Sequence, residues 1–177
     1  MTIKESKARE VGAAFNRFLT PFAVAVVAMA AIAHGLTLAT KAALSIAVFT
    51  GLGNVAMARL AQQRPETLSW LRNFRIGFNY SFNIALAWIL WPYWKPVWLL
   101  YLLSIAAVAS FEDRKATMAT AAMFSLILGS VHFARGDGSW AEGCETLIYL
   151  AALWSTGLLI NRVVHGRPQA AAQPVVP

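Results

Sequence analysis

Charge is scarce in this chain. Asp, Glu, Lys and Arg make up 13% of its 177 residues, about half the share found in an ordinary soluble domain. With 58% of residues hydrophobic, that deficit excludes a single soluble core. It indicates a membrane protein, because the few charges lie between long apolar runs. Cysteine is nearly missing: Cys144 stands alone, which excludes an internal disulfide and any CxxC metal or redox motif. The acidic residues number eight against fifteen basic ones, a net charge of +7. The basic residues flank apolar runs and form no continuous face, so no nucleic-acid partner is expected. HExxH, GxSxG, the P-loop and the glycine-rich dinucleotide fingerprint are also absent. No catalytic residue can be named, no enzymatic activity is expected, and the length leaves room for one membrane domain.

What is present is a series of apolar runs. Residues 1–17 are charged, and Thr2-Ile3-Lys4-Glu5 matches a capping box, which predicts a short cytoplasmic amphipathic helix. The first run covers residues 18–33. A signal peptide cut after Ala31-Ile32-Ala33 is the competing reading of this region. The basic segment before it is long and contains Glu5 and Glu10, so retention is expected. The second run, 42–58, holds Gly51, Gly53 and Asn54, small residues that let a neighbouring backbone approach. Residues 59–75 predict a polar connection turning at Arg64-Pro65-Glu66. The third and fourth runs, 76–91 and 96–111, are joined by a few residues and should be antiparallel neighbours. The fifth, 116–133, leads through a glycine-rich turn at 134–139 into the sixth, 140–161, with Glu142, Cys144 and Glu145 at its interfacial end. Several runs are shorter than the ~20 residues a crossing needs, and flanking Trp, Tyr, Lys and Arg extend them. Residues 163–177 are rich in Pro, Ala and Gln and predict a disordered cytoplasmic tail. The predicted fold is all-α: a six-helix transmembrane bundle over residues 18–162.

Six crossings with a cytoplasmic amino terminus place twelve of the fifteen basic residues inside and only Lys41, Lys95 and Arg135 outside. This is the positive-inside bias of a bacterial inner-membrane protein with both termini cytoplasmic. Trp91, Tyr93, Trp94 and Trp98 cluster at the outer end of the third and fourth helices, as amphipathic rings do at an interface. The same rings around Pro96 could form a stacking platform for a quinone or another flat ligand.

Polar candidates are few. Arg75, Asn79 and Asn83 recur every fourth residue and share one face of the third helix, with Asn54 as a partner on the second. They can line a ligand site or polar pathway, or fix the packing by interhelical hydrogen bonds. His34 and His132 end the first and fifth helices on the outer side and are weak candidates for haem or metal. No residue pattern requires a cofactor.

One stretch resembles a known family. Arg75, the outer turn Lys95-Pro96-Val97-Trp98, the run Leu100-Tyr101-Leu102-Leu103-Ser104-Ile105-Ala106-Ala107 and the basic turn Arg114-Lys115 resemble the six-helix membrane sensor region of bacterial histidine kinases. The resemblance covers residues 70–115. The Gly-Gly pair many such sensors carry at the outer turn is replaced by Trp91-Pro92, Lys95 stands before the proline, and only Pro96 of that segment is kept. No phosphoacceptor helix or ATP-binding domain follows within the chain. The resemblance implies a sensory or anchoring module without its own catalysis, sensing a membrane-soluble ligand or membrane state and acting on a protein partner or as a homo-oligomer. A small oligomeric transporter and a haem- or quinone-binding electron-transfer subunit are the alternatives.

Overall fold

A computed structural model describes residues 21–64 and 68–165. Among them the chain is all-helical, with α1 (Pro21–His34), α2 (Leu38–Gln63), α3 (Leu68–Leu90), a short 3-10 helix (Lys95–Trp98), α4 (Leu99–Phe111), α5 (Arg114–Arg135) and α6 (Trp140–His165). The expected amphipathic segment at 1–17, the turn at Pro65 and most of the expected tail lie outside the described residues. Residues 163–165, assigned to the tail from the sequence, continue α6.

Local chemistry sets the turns. Gly35 takes a positive φ of 75°, a conformation that suits a residue without Cβ. Thr37 then caps α2 by accepting a bond from the Thr40 amide. Asp113 does the same for α5, accepting from the Ala116 amide at 2.8 Å, so only Glu112 and Asp113 separate α4 from α5. The Trp94 and Tyr93 amides fold back onto the Leu90 carbonyl, and Pro96 is the second residue of the 3-10 helix, where its fixed φ suits a first turn.

One expectation is corrected. Residues 59–75 are not a long polar connection: α2 runs on to Gln63 and α3 begins at Leu68. Arg75 therefore lies two turns inside α3 and does not open it. Arginine ends an apolar run, yet it is a good helix former. The third and fourth helices touch, as expected, with Asn83 bonded to Ser104, but neither is the other's main partner. α3 packs chiefly on α2, while α4 packs chiefly on α6 and then α5.

α4 is the centre of the bundle, with Leu100, Tyr101, Ser104, Ile105, Val108 and Ala109 all buried. Phe124 of α5 packs against both Tyr101 and Tyr80, with ring centroids 4.8 Å away in each case. Gly157 brings α6 against α4, since a Cβ there would lie 2.6 Å from Ile105 Cγ2. α1 contributes Val26, Val27 and Ala30 to this core.

The outside is apolar as well. Phe133, Leu38 and Leu126 are 94%, 87% and 74% exposed, which a protein surrounded by water rarely tolerates over so much of its surface. Among the described residues, three helices are long and apolar enough to cross a membrane: Leu38–Ala61, Arg114–Arg135 and Trp140–His165. α3 has the length but carries Asn73, Arg75, Asn79 and Asn83. α1 and the segment Lys95–Phe111 are apolar but shorter.

Candidate functional site

The densest polar constellation lies where the 3-10 helix meets the α5–α6 turn, and it centres on Glu142. This residue stands in the first turn of α6 and is only 2% exposed. Its Oε1 lies 3.3 Å from Lys95 Nζ. Its Oε2 accepts a bond from the Asp137 amide and lies 3.9 Å from His132 Nδ1. Lys95 also reaches Glu145 Oε2 at 3.2 Å, and His132 Nδ1 is 3.1 Å from Thr146 Oγ1. Glu142 thus ties together three separate elements. A buried carboxylate is stable only with such partners, and removing one leaves an uncompensated charge.

The sequence builds this locally. Ser139 caps α6 by accepting from the Glu142 amide at 3.2 Å, the first half of a capping box. The second half is diverted, because the Glu142 carboxylate turns to Asp137. Gly136 makes room for it: a Cβ there would collide with the His132 carbonyl and Glu142 Oε2. Asp137 accepts the Ser139 amide at 2.8 Å. The Ser139 hydroxyl and amide hold its carboxyl down at about 2. Arg135 lies over the Trp88 ring at 5.5 Å, a cation–π contact between α5 and α3.

The polar residues expected on one face of α3 divide between two neighbours. Asn54 and Asn79 exchange reciprocal amide bonds of 2.8 and 3.1 Å between α2 and α3, and Arg75 Nε donates to Asn54 Oδ1 at 3.1 Å. Asn83 turns to α4 and donates to Ser104 Oγ at 2.8 Å. The structure joins Asn54, Arg75 and Asn79 and leaves Asn83 apart.

The aromatic turn also divides. Trp91 is fully buried in the core and Trp94 and Trp98 are half-buried, while Tyr93 is exposed. Trp91 is therefore a core residue, not an exposed ring of a surface belt. Trp98 stacks on Tyr149 of α6 at 4.7 Å, and His34 meets the Trp94 ring edge-on at 6.2 Å. His34 and His132 thus contact different partners. Pro96 is half-buried. Tyr93 and Ile89 line a shallow groove against Thr37, Leu38, Ala39 and Ala42 at the start of α2. No group of three His, Cys, Asp or Glu able to hold a metal occurs among the described residues.

At the opposite end of α4, Asn161 of α6 donates from Nδ2 to the Glu112 carbonyl at 2.9 Å, Thr117 Oγ1 at 3.2 Å and the Ala109 carbonyl at 3.3 Å. Sequence reasoning did not single out Asn161, which closes an apolar run and carries no motif. It placed Glu142 at an interface without foreseeing its burial. The available signal was Ser139-x-x-Glu142, the capping-box spacing. Comparison of the chain with protein-family models, with characterised proteins and with solved structures finds no match.

Proposed function

We propose that this protein is a six-span module of the bacterial inner membrane with both termini cytoplasmic. In this reading it senses a ligand or membrane state at the Lys95 end and relays it to a protein partner at the Glu112 end, without catalysis of its own. One observation carries it. α4, the most enclosed helix, runs between two polar fastenings, the Glu142 cluster at Lys95 and the Asn161 clamp at Ala109 and Glu112. A disturbance of the first is therefore felt at the second through a rigid, buried element. The basic turn Arg114-Lys115, exposed beside that clamp, is the surface on which a partner would read it. The charge distribution, the three long apolar helices and the exposed apolar surface support the membrane setting. The transporter alternative gains no comparable support, since Asn54 and Asn79 bond to each other and Asn83 bonds to Ser104.

The lone cysteine makes the orientation testable without engineering. A membrane-impermeant maleimide should label Cys144, which is partly accessible, on intact cells stripped of their outer membrane. Labelling only after permeabilisation would overturn the orientation. Relay is tested by cross-linking tagged protein in its native membrane and comparing the captured partner with and without Trp94→Ala, Pro96→Ala and Trp98→Ala. Capture and partner output that ignore all three substitutions would remove the sensing role of this turn.

A further inference from the structure

We propose that Arg135, held over Trp88 where α5 meets α3, is a binding site for the phosphodiester of a membrane phospholipid. α5 ends at Arg135, and the guanidinium lies over the Trp88 ring of α3 at 5.5 Å. The ring attracts the charge but has no oxygen to accept a hydrogen bond. Arg135 Nε is buried and has no acceptor. A guanidinium carries five donors in a fixed fork, accepts nothing and keeps its charge. A buried donor of this kind left unmatched calls for a partner, and none occurs among the described residues.

The carboxylates of this end are committed elsewhere. Glu142 and Glu145 hold Lys95 at 3.3 and 3.2 Å, and Asp137, two residues beyond Arg135, accepts the Ser139 amide at 2.8 Å. Among the described residues Lys95 therefore has two carboxylates and Arg135 has none. The partner that fits Arg135 is an oxyanion from outside the chain, and the planar fork matches phosphate with two parallel bonds. Its surroundings select the phosphate of a lipid. Trp88 is 46% exposed, and an indole in a membrane protein sits at the level of the headgroups. α3 and α5 meet lightly there, with Tyr80 on Phe124 and Trp88 under Arg135. A free phosphate would satisfy the cation and leave the exposed ring uncovered. A phospholipid satisfies both, with its phosphate on Arg135 and its chains beside Trp88. Basic sites between membrane helices bind headgroups in this way. The inference rests on the membrane setting proposed above and is independent of orientation and relay. Recovery of the wild-type chain in the membrane fraction tests that setting separately.

The test titrates the full chain, stripped of lipid in detergent, with phosphatidylglycerol and with diacylglycerol of the same chains, and counts bound lipid by native mass spectrometry. Diacylglycerol, which lacks the phosphate, should bind about tenfold more weakly. Arg135→Gln should weaken phosphatidylglycerol by a similar factor. Lys41→Gln, which removes an exposed cation of α2, should leave it unchanged, and excess inorganic phosphate should not displace the lipid. Equal binding of the two lipids, full binding to Arg135→Gln, or an equal loss in Lys41→Gln overturns the proposal. Displacement by inorganic phosphate overturns it in favour of a free-phosphate site. Should Arg135→Gln fail to fold, the comparison of the two lipids on the wild type decides.

Discussion

Asn161 illustrates how much one side chain can fasten. Its Nδ2 reaches acceptors in the last turn of α4, at the α4 C-cap and in the first turn of α5, so three segments meet on one amide. Asn161→Ala removes those bonds and should destabilise by about 1–3 kcal/mol. Asn161→Asp, nearly the same shape, should cost more than Asn161→Ala, because it turns a carboxylate toward two carbonyls and has no hydrogen to give. Unfolding in mixed micelles with increasing denaturing detergent ranks the three proteins, and equal midpoints for Asp and Ala would disprove the clamp. At this scale the sequence was least informative. An asparagine at the end of an apolar run looks like an interfacial residue, and nothing local tells that two carbonyls at the end of α4 converge on it. Glu142 was hidden for the same reason, since burial is a property of its neighbours. Asn54 and Asn79 were legible because helical spacing alone marks a shared face.

At the level of elements, the α2–α3 pair provides the cleanest energetic test. Asn54 and Asn79 each donate to and accept from the other, so removing either breaks both bonds, although Asn54 Oδ1 keeps its bond from Arg75 Nε when Asn79 is lost. Asn54→Leu and Asn79→Leu should each destabilise, and the double variant should cost less than the two together. The coupling should be about 0.6 kcal/mol and at most about 1.7, the range measured for hydrogen bonds between membrane helices. Strict additivity would mean the pair contributes nothing. The α5–α6 turn carries a second test. The Asp137 carboxyl is held at about 2 by its bonds to Ser139, below its ordinary 3.8. Its contribution is present above the ordinary value and is lost as pH falls toward 2. Melting curves in strong acid should show this loss in the wild type and not in Asp137→Asn. Elements were mostly legible in the sequence, because their turns use glycine, proline and capping residues. The α2–α3 boundary was not, because charged residues interrupt hydropathy without interrupting a helix. Nor does a short turn fix a helix's main partner: α3 and α4 follow each other in the chain, yet each found another.

For the whole molecule, the decisive property is what surrounds it. Leu126 lies midway along α5 and is 74% exposed. On a protein bathed in water, Leu126→Arg would be harmless or improve solubility. At the centre of a membrane helix, arginine costs about 2.5–3.5 kcal/mol. The substitution should therefore lower the amount of chain recovered in the membrane fraction while Ala134→Arg, near the helix end, does not; equal recovery would contradict a lipid-facing α5. The membrane character was legible from composition because it is a bulk property, one that fixes no individual contact. Among the described residues the six α-helices were legible as well. Of the described helices, three have both the length and the apolarity to cross unaided, and the others are shorter or more polar, so their placement depends on their neighbours.

The two ends of α4 have a consequence for length. α4 and α6 run in the same direction, fastened at Lys95 to Glu142 and again at Ala109 and Glu112 to Asn161. Along α6 the rise between those fastenings is about 28 Å. A plain α-helix from Lys95 to Glu112 would rise only about 25 Å, and the looser pitch of the 3-10 helix brings it to about 27 Å. The 3-10 segment thus narrows the difference between the two rises. Deleting one residue from α4 shortens it by about 1.5 Å and turns its last carbonyls by about 100°, so both fastenings cannot be kept. Deleting one residue from the middle of α6 as well should restore the match, and with it part of the stability that either deletion alone removes.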